Sequence, residues 1–359
     1  MRIIIVSTSI GHLGSGKGGG VELTLNSLVF GLLNKGHYVK VIAPDQSQLS
    51  EICNSAELIC VKGREQTSWQ HLDYYASAET SQDSIVNALI DKALSISNNY
   101  DLIINLSYDL QPIARTFVSD VPIAHLISMG NESYSISKEI ERVYSKFPNN
   151  FAFHTGIQAS DFPFIENPII VGNGFQLDNY TFCDESDGPL GWVGRVSPEK
   201  GLEDALYVAN ELQEKLNVWG YIEDENYALM LKDFDFEGLV TWRGFLRTNE
   251  LQKELRYCRA LINTPKWNEA YGNVIVESLA CGVPVVAYRR GGPSEIIKHG
   301  LTGFLVDPDN KDELLKYLKK INSINRYECR AWVENNASIK IFADKVEKWL
   351  QEIIKNFDN

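Results

Sequence analysis

Ala260-Leu261-Ile262-Asn263-Thr264-Pro265-Lys266-Trp267-Asn268-Glu269-Ala270-Tyr271-Gly272-Asn273-Val274-Ile275-Val276-Glu277-Ser278-Leu279-Ala280-Cys281 is the stretch whose reading decides the fold. It opens with a short apolar strand, breaks at Thr264-Pro265 and presents Lys266 to Asn273 as a loop, because Pro and Gly interrupt any regular period. From Val274 to Cys281 the pattern is a helix that is apolar on nearly every side, where a charge is costly without a partner. Glu277 is that charge. Gly282-Val283-Pro284 stops the helix, Val285 to Tyr288 reads as a buried parallel strand, and Arg289-Arg290-Gly291-Gly292-Pro293-Ser294-Glu295 is a second glycine-rich loop opening another helix. This order predicts an open parallel sheet. Ligands bind such sheets outside the carboxyl ends of the strands, and helix N-termini there favour anions. The two loops are expected to face one crevice, with a phosphate as ligand.

Glu269 and Glu277 stand eight positions apart and are followed by Ala280-Cys281-Gly282-Val283-Pro284-Val285-Val286-Ala287 and Gly291-Gly292-Pro293-Ser294-Glu295-Ile296. This resembles the Glu-x7-Glu signature of family 4 retaining glycosyltransferases. The resemblance implies that Glu269 holds the donor sugar with the backbone amides of Ala270, Tyr271, Gly272 and Asn273, and that Glu277 accepts from the nucleotide's ribose hydroxyls. A carboxylate suits that task in its own right, since it accepts from two hydroxyls at once. The plainer alternatives are a dipole-stabilised carboxylate for Glu269 and a solvated helix face for Glu277.

The 359 residues suffice for two domains, each with its own core. A formal charge of −13 argues against a nucleic-acid surface and offers no general attraction to anionic lipid. Cys53, Cys60, Cys183, Cys258, Cys281 and Cys329 are scattered, without paired or His-containing ligand spacings, as expected of reduced structural thiols. The run Met1 to Val6 is too short for a signal-peptide core, and nothing approaches the roughly 18 apolar residues of a spanning helix. A cytoplasmic protein without stable membrane anchoring is expected. Composition leaves the oligomeric state open.

Outward from the deciding stretch, the first strand leads into a loop, Gly11 to Gly20, then a helix from about Val21 to Lys35 and a strand at Tyr38 to Ala43. Gly11 to Lys17 fits the start of a P-loop, but Gly18 stands where the Mg²⁺-binding hydroxyl belongs. Gly14-x-Gly16-x-x-Gly19 fits a dinucleotide fingerprint, yet no acidic residue closes the second strand. By resemblance, Gly18, Gly19 and Gly20 close over the donor diphosphate, and glycine permits that close approach. The alternative is a flexible surface loop. Further strands are expected at Leu58 to Val61, Asp101 to Leu106, Pro122 to Ile127 and Phe151 to His154, with a helix from Thr80 to Asn98 and an aperiodic loop from Lys62 to Glu79. Ser128-Met129-Gly130 follows the Pro122 strand where family members usually carry a sugar-contacting His. His125, Ser128, Met129 and His154 are therefore the acceptor-side candidates, with a satisfied core histidine as the alternative for His125.

Asn167 to Phe175 resembles the family's crossing between domains, with the hinge near Asn173. Residues 1–172 are then the acceptor-side domain and 173–339 the nucleotide-sugar domain. The amphipathic segment Ile339 to Ile354, with Phe342, Val346, Trp349 and Leu350 on one side, is expected to bring 340–359 back onto the first domain. Leu190 to Arg195 opens the second domain, and Val196 to Gly201 leads to a helix. The resemblance gives Arg195 and Lys200 the diphosphate, where two fixed cations match the charge developing on the leaving group. Trp242 and Arg243, at the end of the Val240 strand, resemble the nucleobase-binding turn.

The implied architecture is α/β GT-B, two doubly wound Rossmann-like domains facing across a cleft. The implied activity is retaining transfer of a sugar, glucose from UDP-glucose, without a metal or other cofactor. No Asp-x-Asp pair sits at the expected cleft, and Asp307-Pro308-Asp309 reads as a peripheral turn. The stretches Gly14 to Glu22, Ala124 to Gly130 and Tyr288 to Pro293 resemble the cyanobacterial UDP-glucose:tetrahydrobiopterin glucosyltransferases, which implies a small hydroxylated acceptor, a reduced pterin. Tyr108, Tyr134 and Trp267 are candidates to stack on it. A lipid or polysaccharide acceptor is the alternative, and a catalytically silent sugar-nucleotide sensor the alternative of another class. A nucleotide hydrolase or NAD oxidoreductase fits less well.

Overall fold

Apolar runs without alternation predict strands buried on both faces, and the strands of the described chain pair in parallel accordingly. The computed structural model describes residues 1–78, 81–235 and 238–357. Its first sheet comprises β1 (Arg2–Val6), β2 (Tyr38–Pro44), β3 (Glu57–Val61), β4 (Leu102–Asn105), β5 (Ile123–Ile127), β6 (Phe151–Phe153) and β7 (Ile169–Ile170), in the order β3-β2-β1-β4-β5-β6-β7. The second comprises β8 (Leu190–Val193), β9 (Leu216–Trp219), β10 (Val240–Gly244), β11 (Ala260–Asn263), β12 (Val285–Tyr288) and β13 (Gly303–Val306), in the order β10-β9-β8-β11-β12-β13. Each order reverses once, between β1 and β4 and between β8 and β11. These are the switch points where an open α/β sheet leaves a crevice.

The first unit is Met1–Gly174 with Ile339–Asn359, and the second is Phe175–Ser338. The boundary follows Gly174 because Asn173 and Gly174 are bound into the first unit. Asn173 Nδ2 donates to Thr24 Oγ1 at 2.9 Å, and Ser27 Oγ donates to the Gly174 carbonyl at 2.6 Å. The amphipathic helix Ile339–Phe357 buries Phe342, Val346, Trp349, Leu350 and Ile353 with Leu25, Leu28, Val29 and Leu32 of helix Gly20–Asn34. Trp349 Nε1 donates to the Asn149 carbonyl at 2.7 Å. No described helix is long and apolar enough to cross a membrane.

Three expected elements differ. The helix expected from Thr80 is Ile85–Ile96, capped where the Ser84 hydroxyl accepts from the Asn87 amide; Glu79 and Thr80 lie outside the described residues. The loop from Lys62 contains a 3-10 turn, Trp69–His71, whose Trp69 is buried. The helix after the second glycine-rich loop has only four residues, Pro293–Ile296.

The second unit depends on an arginine that periodicity does not single out. Arg326, on helix Arg326–Asn336, is 8 % exposed and donates to the carbonyls of Cys183, Cys258 and Arg256 at 2.8, 3.0 and 2.7 Å. It thereby ties the 177–183 segment to the turn before β11. Arg326→Leu leaves three carbonyls without their donor and is expected to cost about 2–4 kcal/mol. Arg326→Lys is expected to recover little, because an ammonium cannot reproduce the planar fork. Urea unfolding checks this; a Lys variant as stable as wild type would contradict the geometric argument.

Candidate functional site

β8 and β11 are neighbours at the switch point, so the turn after β8 and the loop after β11 leave the same edge of the second sheet. The two are joined backbone to backbone. The Lys266 amide donates to the Glu199 carbonyl at 2.8 Å, and Thr264 Oγ1 donates to the Gly201 carbonyl at 2.7 Å. Gly201 is required here: its φ is +64°, and a Cβ would stand 2.0 Å from the Thr264 carbonyl oxygen. Pro198 starts the 3-10 turn Pro198–Lys200, which presents Lys200 to the loop.

Lys200 Nζ forms an ion pair with Glu269 Oε1, and Trp267 Nε1 donates to the same oxygen at 2.6 Å. The Lys200 ammonium also stands 4.6 Å from the Trp267 ring centre. Glu269 keeps 15 % of its side-chain surface exposed. Burial would push its carboxyl up, but Lys200, the Trp267 N–H and Arg195 together hold it below the usual carboxylate range. Arg195 is itself engaged, with Glu199 at 3.1 Å and with Glu223. Both expected diphosphate cations are thus paired with carboxylates, a feature the spacing of Arg195 and Lys200 does not disclose.

The second glycine-rich loop supports the first. The Gly292 amide donates to the Glu269 carbonyl at 2.6 Å, and a Cβ on Gly291, whose φ is +67°, would lie 2.1 Å from that oxygen. These glycines let one loop backbone lie on the other. Arg290 donates to the Pro265 carbonyl at 2.9 Å and pairs with Asp309, which also takes Lys266 at 2.8 Å. Asp309 therefore braces the loop and is no peripheral turn residue.

Ala270, Tyr271 and Gly272 lead into helix Asn273–Ala280. Its Glu277 is 6 % exposed, so the solvated-face reading fails. Glu277 Oε1 accepts from Tyr180 Oη at 3.2 Å and Thr248 Oγ1 at 3.3 Å. Burial pushes its carboxyl up to about 7 despite these two hydroxyls. Trp242 and Arg243 lie on the edge strand β10, where the pairing slips between Trp242 and Gly244. Trp242 is half-buried, and exposed Arg243 stands 3.7 Å from Glu254. Sequence reasoning missed Tyr180, Thr248 and Glu223; each lies far from its partner along the chain and carries no local signal.

In the first unit, Gly19 precedes the helix that begins at Gly20, and the loop before it is drawn together by Glu22. Its carboxylate accepts from the amides of Gly14 at 2.8 Å and Gly18 at 3.1 Å. His125 is corrected from acceptor candidate to core residue. It is fully buried in β5, stacked on Phe151, with Nε2 at 2.7 Å from Thr116 Oγ1 and Nδ1 at 3.2 Å from Asn105 Nδ2. Burial lowers its pKa to about 3, so the ring stays neutral. His154 is buried as well, and its Nδ1 donates to the Gly172 carbonyl at 2.7 Å, a structural tie. Ser128 and Met129 follow β5 and are half-buried. Tyr108 is buried in the core, whereas Tyr134 is partly exposed against Tyr74 and Tyr75.

Residues 184–338 match the family model described as Glycosyl transferases group 1. Sucrose synthase 2 of Pisum sativum is 30 % identical over 145 residues, 35 % of this chain and 18 % of that protein. Sucrose synthase 6 of Arabidopsis thaliana is 27 % identical over 210 residues, 51 % of this chain and 21 % of that protein. The chain thus matches about a fifth of the length of these curated relatives. Over nearly the whole chain the fold is similar to Anabaena HepE in complex with UDP and glucose, at TM-score 0.77 and 18 % identity, covering 98 % of this chain and 100 % of HepE. It is also similar to sucrose-phosphate synthase from Thermosynechococcus elongatus, at TM-score 0.74 and 15 % identity, covering 100 % and 97 % of the two chains. Residues 184–338 thus match the group 1 glycosyl transferase model, and the chain has a two-sheet α/β fold of the GT-B type.

Proposed function

We propose that this protein is a retaining glycosyltransferase that moves glucose from UDP-glucose to a small hydroxylated acceptor, a reduced pterin. The observation that carries the reading is the Lys200–Glu269 pair at the β8/β11 switch point, with buried Glu277 one helix further on, all inside the segment that matches the transferase family. Glu269 receives the donor sugar, Arg195 and Lys200 the diphosphate, and Glu277 the ribose diol. The backbone of Trp242 and Arg243 receives the base, and the amides of Ala270 to Asn273 help to hold the sugar. The likeness to a HepE structure holding UDP-glucose supports that donor. The pterin rests on the resemblance of the Gly14, Ala124 and Tyr288 stretches and on the acidic chain, which offers no general attraction to anionic lipid.

Transfer then proceeds on one face of the sugar, the leaving phosphate taking the acceptor proton while the protein positions both substrates and stabilises charge. A donor-by-acceptor screen read by mass spectrometry is expected to show one hexose added to a reduced pterin. Transfer to a lipid or glycan and to no pterin would refute the acceptor. Arg195 and Lys200 supply the positive charge, so activity is expected to persist in EDTA. Full loss of activity, restored by Mn²⁺ or Mg²⁺, would refute metal independence.

Glu277→Ala is expected to weaken UDP binding tenfold or more, about 1.5–3 kcal/mol for a charged hydrogen bond, whereas Glu269→Ala chiefly lowers turnover. Calorimetry showing unchanged UDP affinity in folded Glu277→Ala would overturn the ribose assignment.

Glu277 also gives a signed pH dependence. Its carboxyl titrates near 7 in the folded chain, above its ordinary 4.5, so the folded state binds the extra proton between those values. Stability from this group is full below 4.5 and declines as pH rises to 7. Ribose hydroxyls need the carboxylate, so UDP affinity is expected to rise over the same window and level off above it. Glu277→Gln is expected to melt higher than wild type at pH 8, by about 4 °C or more, with the gap closing toward pH 4.5. Melting curves whose difference does not change with pH would contradict this.

A further inference from the structure

Trp267 touches both members of the charged pair. Its indole N–H donates to Glu269 Oε1 at 2.6 Å, and its ring lies 4.6 Å from the Lys200 ammonium, which pairs with the same oxygen. A ring so placed attracts the ammonium electrostatically, and the N–H strengthens the carboxylate's hold on its geometry. Both donors converge on Oε1. Among the described residues, Oε2 is the oxygen left to accept from a ligand. The loop that carries Trp267 is fixed from the other side, by the Lys266 amide on the Glu199 carbonyl and by Arg290 on the Pro265 carbonyl. The ring therefore sits on a braced backbone.

We propose that Trp267 is a positioning residue of the sugar-transfer site: its N–H and ring face set Glu269 and Lys200 together, so that Oε2 of Glu269 meets a hydroxyl of the donor sugar while the ammonium is held toward the diphosphate. This rests on the roles given to Glu269 and Lys200 above. The charged groups facing Glu269 are Lys200 and Arg195 from the turn after β8, the latter carrying Glu199 and Glu223. The 289–295 loop meets Glu269 through the backbone of Gly291 and Gly292.

The two functions of the side chain separate by substitution. Trp267→Phe keeps a ring for Lys200 and removes the N–H; Trp267→Leu removes both. Expected for Trp267→Phe is a kcat about tenfold or more lower with UDP affinity within about twofold of wild type, and for Trp267→Leu a loss in both. A second measurement needs no turnover. In ¹³C NMR of glutamate-labelled protein, with Glu269 assigned through Glu269→Gln, its titration midpoint is expected to move upward in Trp267→Phe, because a donor favouring the carboxylate is gone. A Phe variant with wild-type kcat, or one whose Glu269 titrates as in wild type, would overturn the proposal. Wild-type protein that transfers sugar from no nucleotide sugar counts against the transferase reading, and the titration then still decides whether Trp267 fixes Glu269.

Discussion

A carboxylate set in a half-buried loop is stabilised by a cation beside it, and the second unit supplies one to Glu269. Glu269 lies 69 positions from Lys200 along the chain, and the two meet because the strand order reverses between β8 and β11. Elsewhere in an open parallel sheet, the neighbouring strand's loop runs to a helix on the same face. At the reversal the connections that follow the two strands run to opposite faces of the sheet, which leaves room outside the strand ends. Gly201 lets the turn and the loop touch through their backbones, and Gly291 lets the next loop lie beneath Glu269. Three loops then hold one residue.

The pairing explains why positive charge here is modest. Arg195 and Lys200 carry Glu199, Glu223 and Glu269 as partners, so under the proposed function a donor diphosphate must share or displace carboxylates. Binding of this kind exchanges one set of charged contacts for another, and discrimination rests on geometry more than on attraction. Glu277 shows the same economy in another form. Two hydroxyls accompany a buried carboxyl that burial drives upward, an arrangement costly to the folded chain and, under the proposed function, suited to receiving a diol.

The first unit contrasts with this. Its two acceptor-candidate histidines serve structure, His125 within β5 and His154 on the Gly172 carbonyl next to the crossing. Its glycine-rich loop is gathered by Glu22, whose carboxylate occupies amides of Gly14 and Gly18. The P-loop likeness of that segment therefore has a plain physical end: its amides already hold an anion belonging to the chain.

The sequence by itself determined the parallel α/β class and the two sheets, and it marked Glu277 as a lone charge in an apolar helix, because continuous apolar runs and glycine-proline breaks are local patterns. The amphipathic stripe of Phe342, Val346, Trp349 and Leu350 likewise made the closing helix legible. Tertiary structure alone decided who partners whom. Tyr180 reaches Glu277 across 97 positions, Arg326 spans up to 143 to its carbonyls, and nothing near either residue in sequence signals the contact. His125 makes the difference plain. A histidine in an apolar strand looks the same whether it serves a ligand or the core, and only the positions of Thr116 and Asn105 show both ring nitrogens satisfied. Periodicity records which face of an element is buried; the identity of what lies against that face depends on the order in which strands pair, and that order is set by the whole chain.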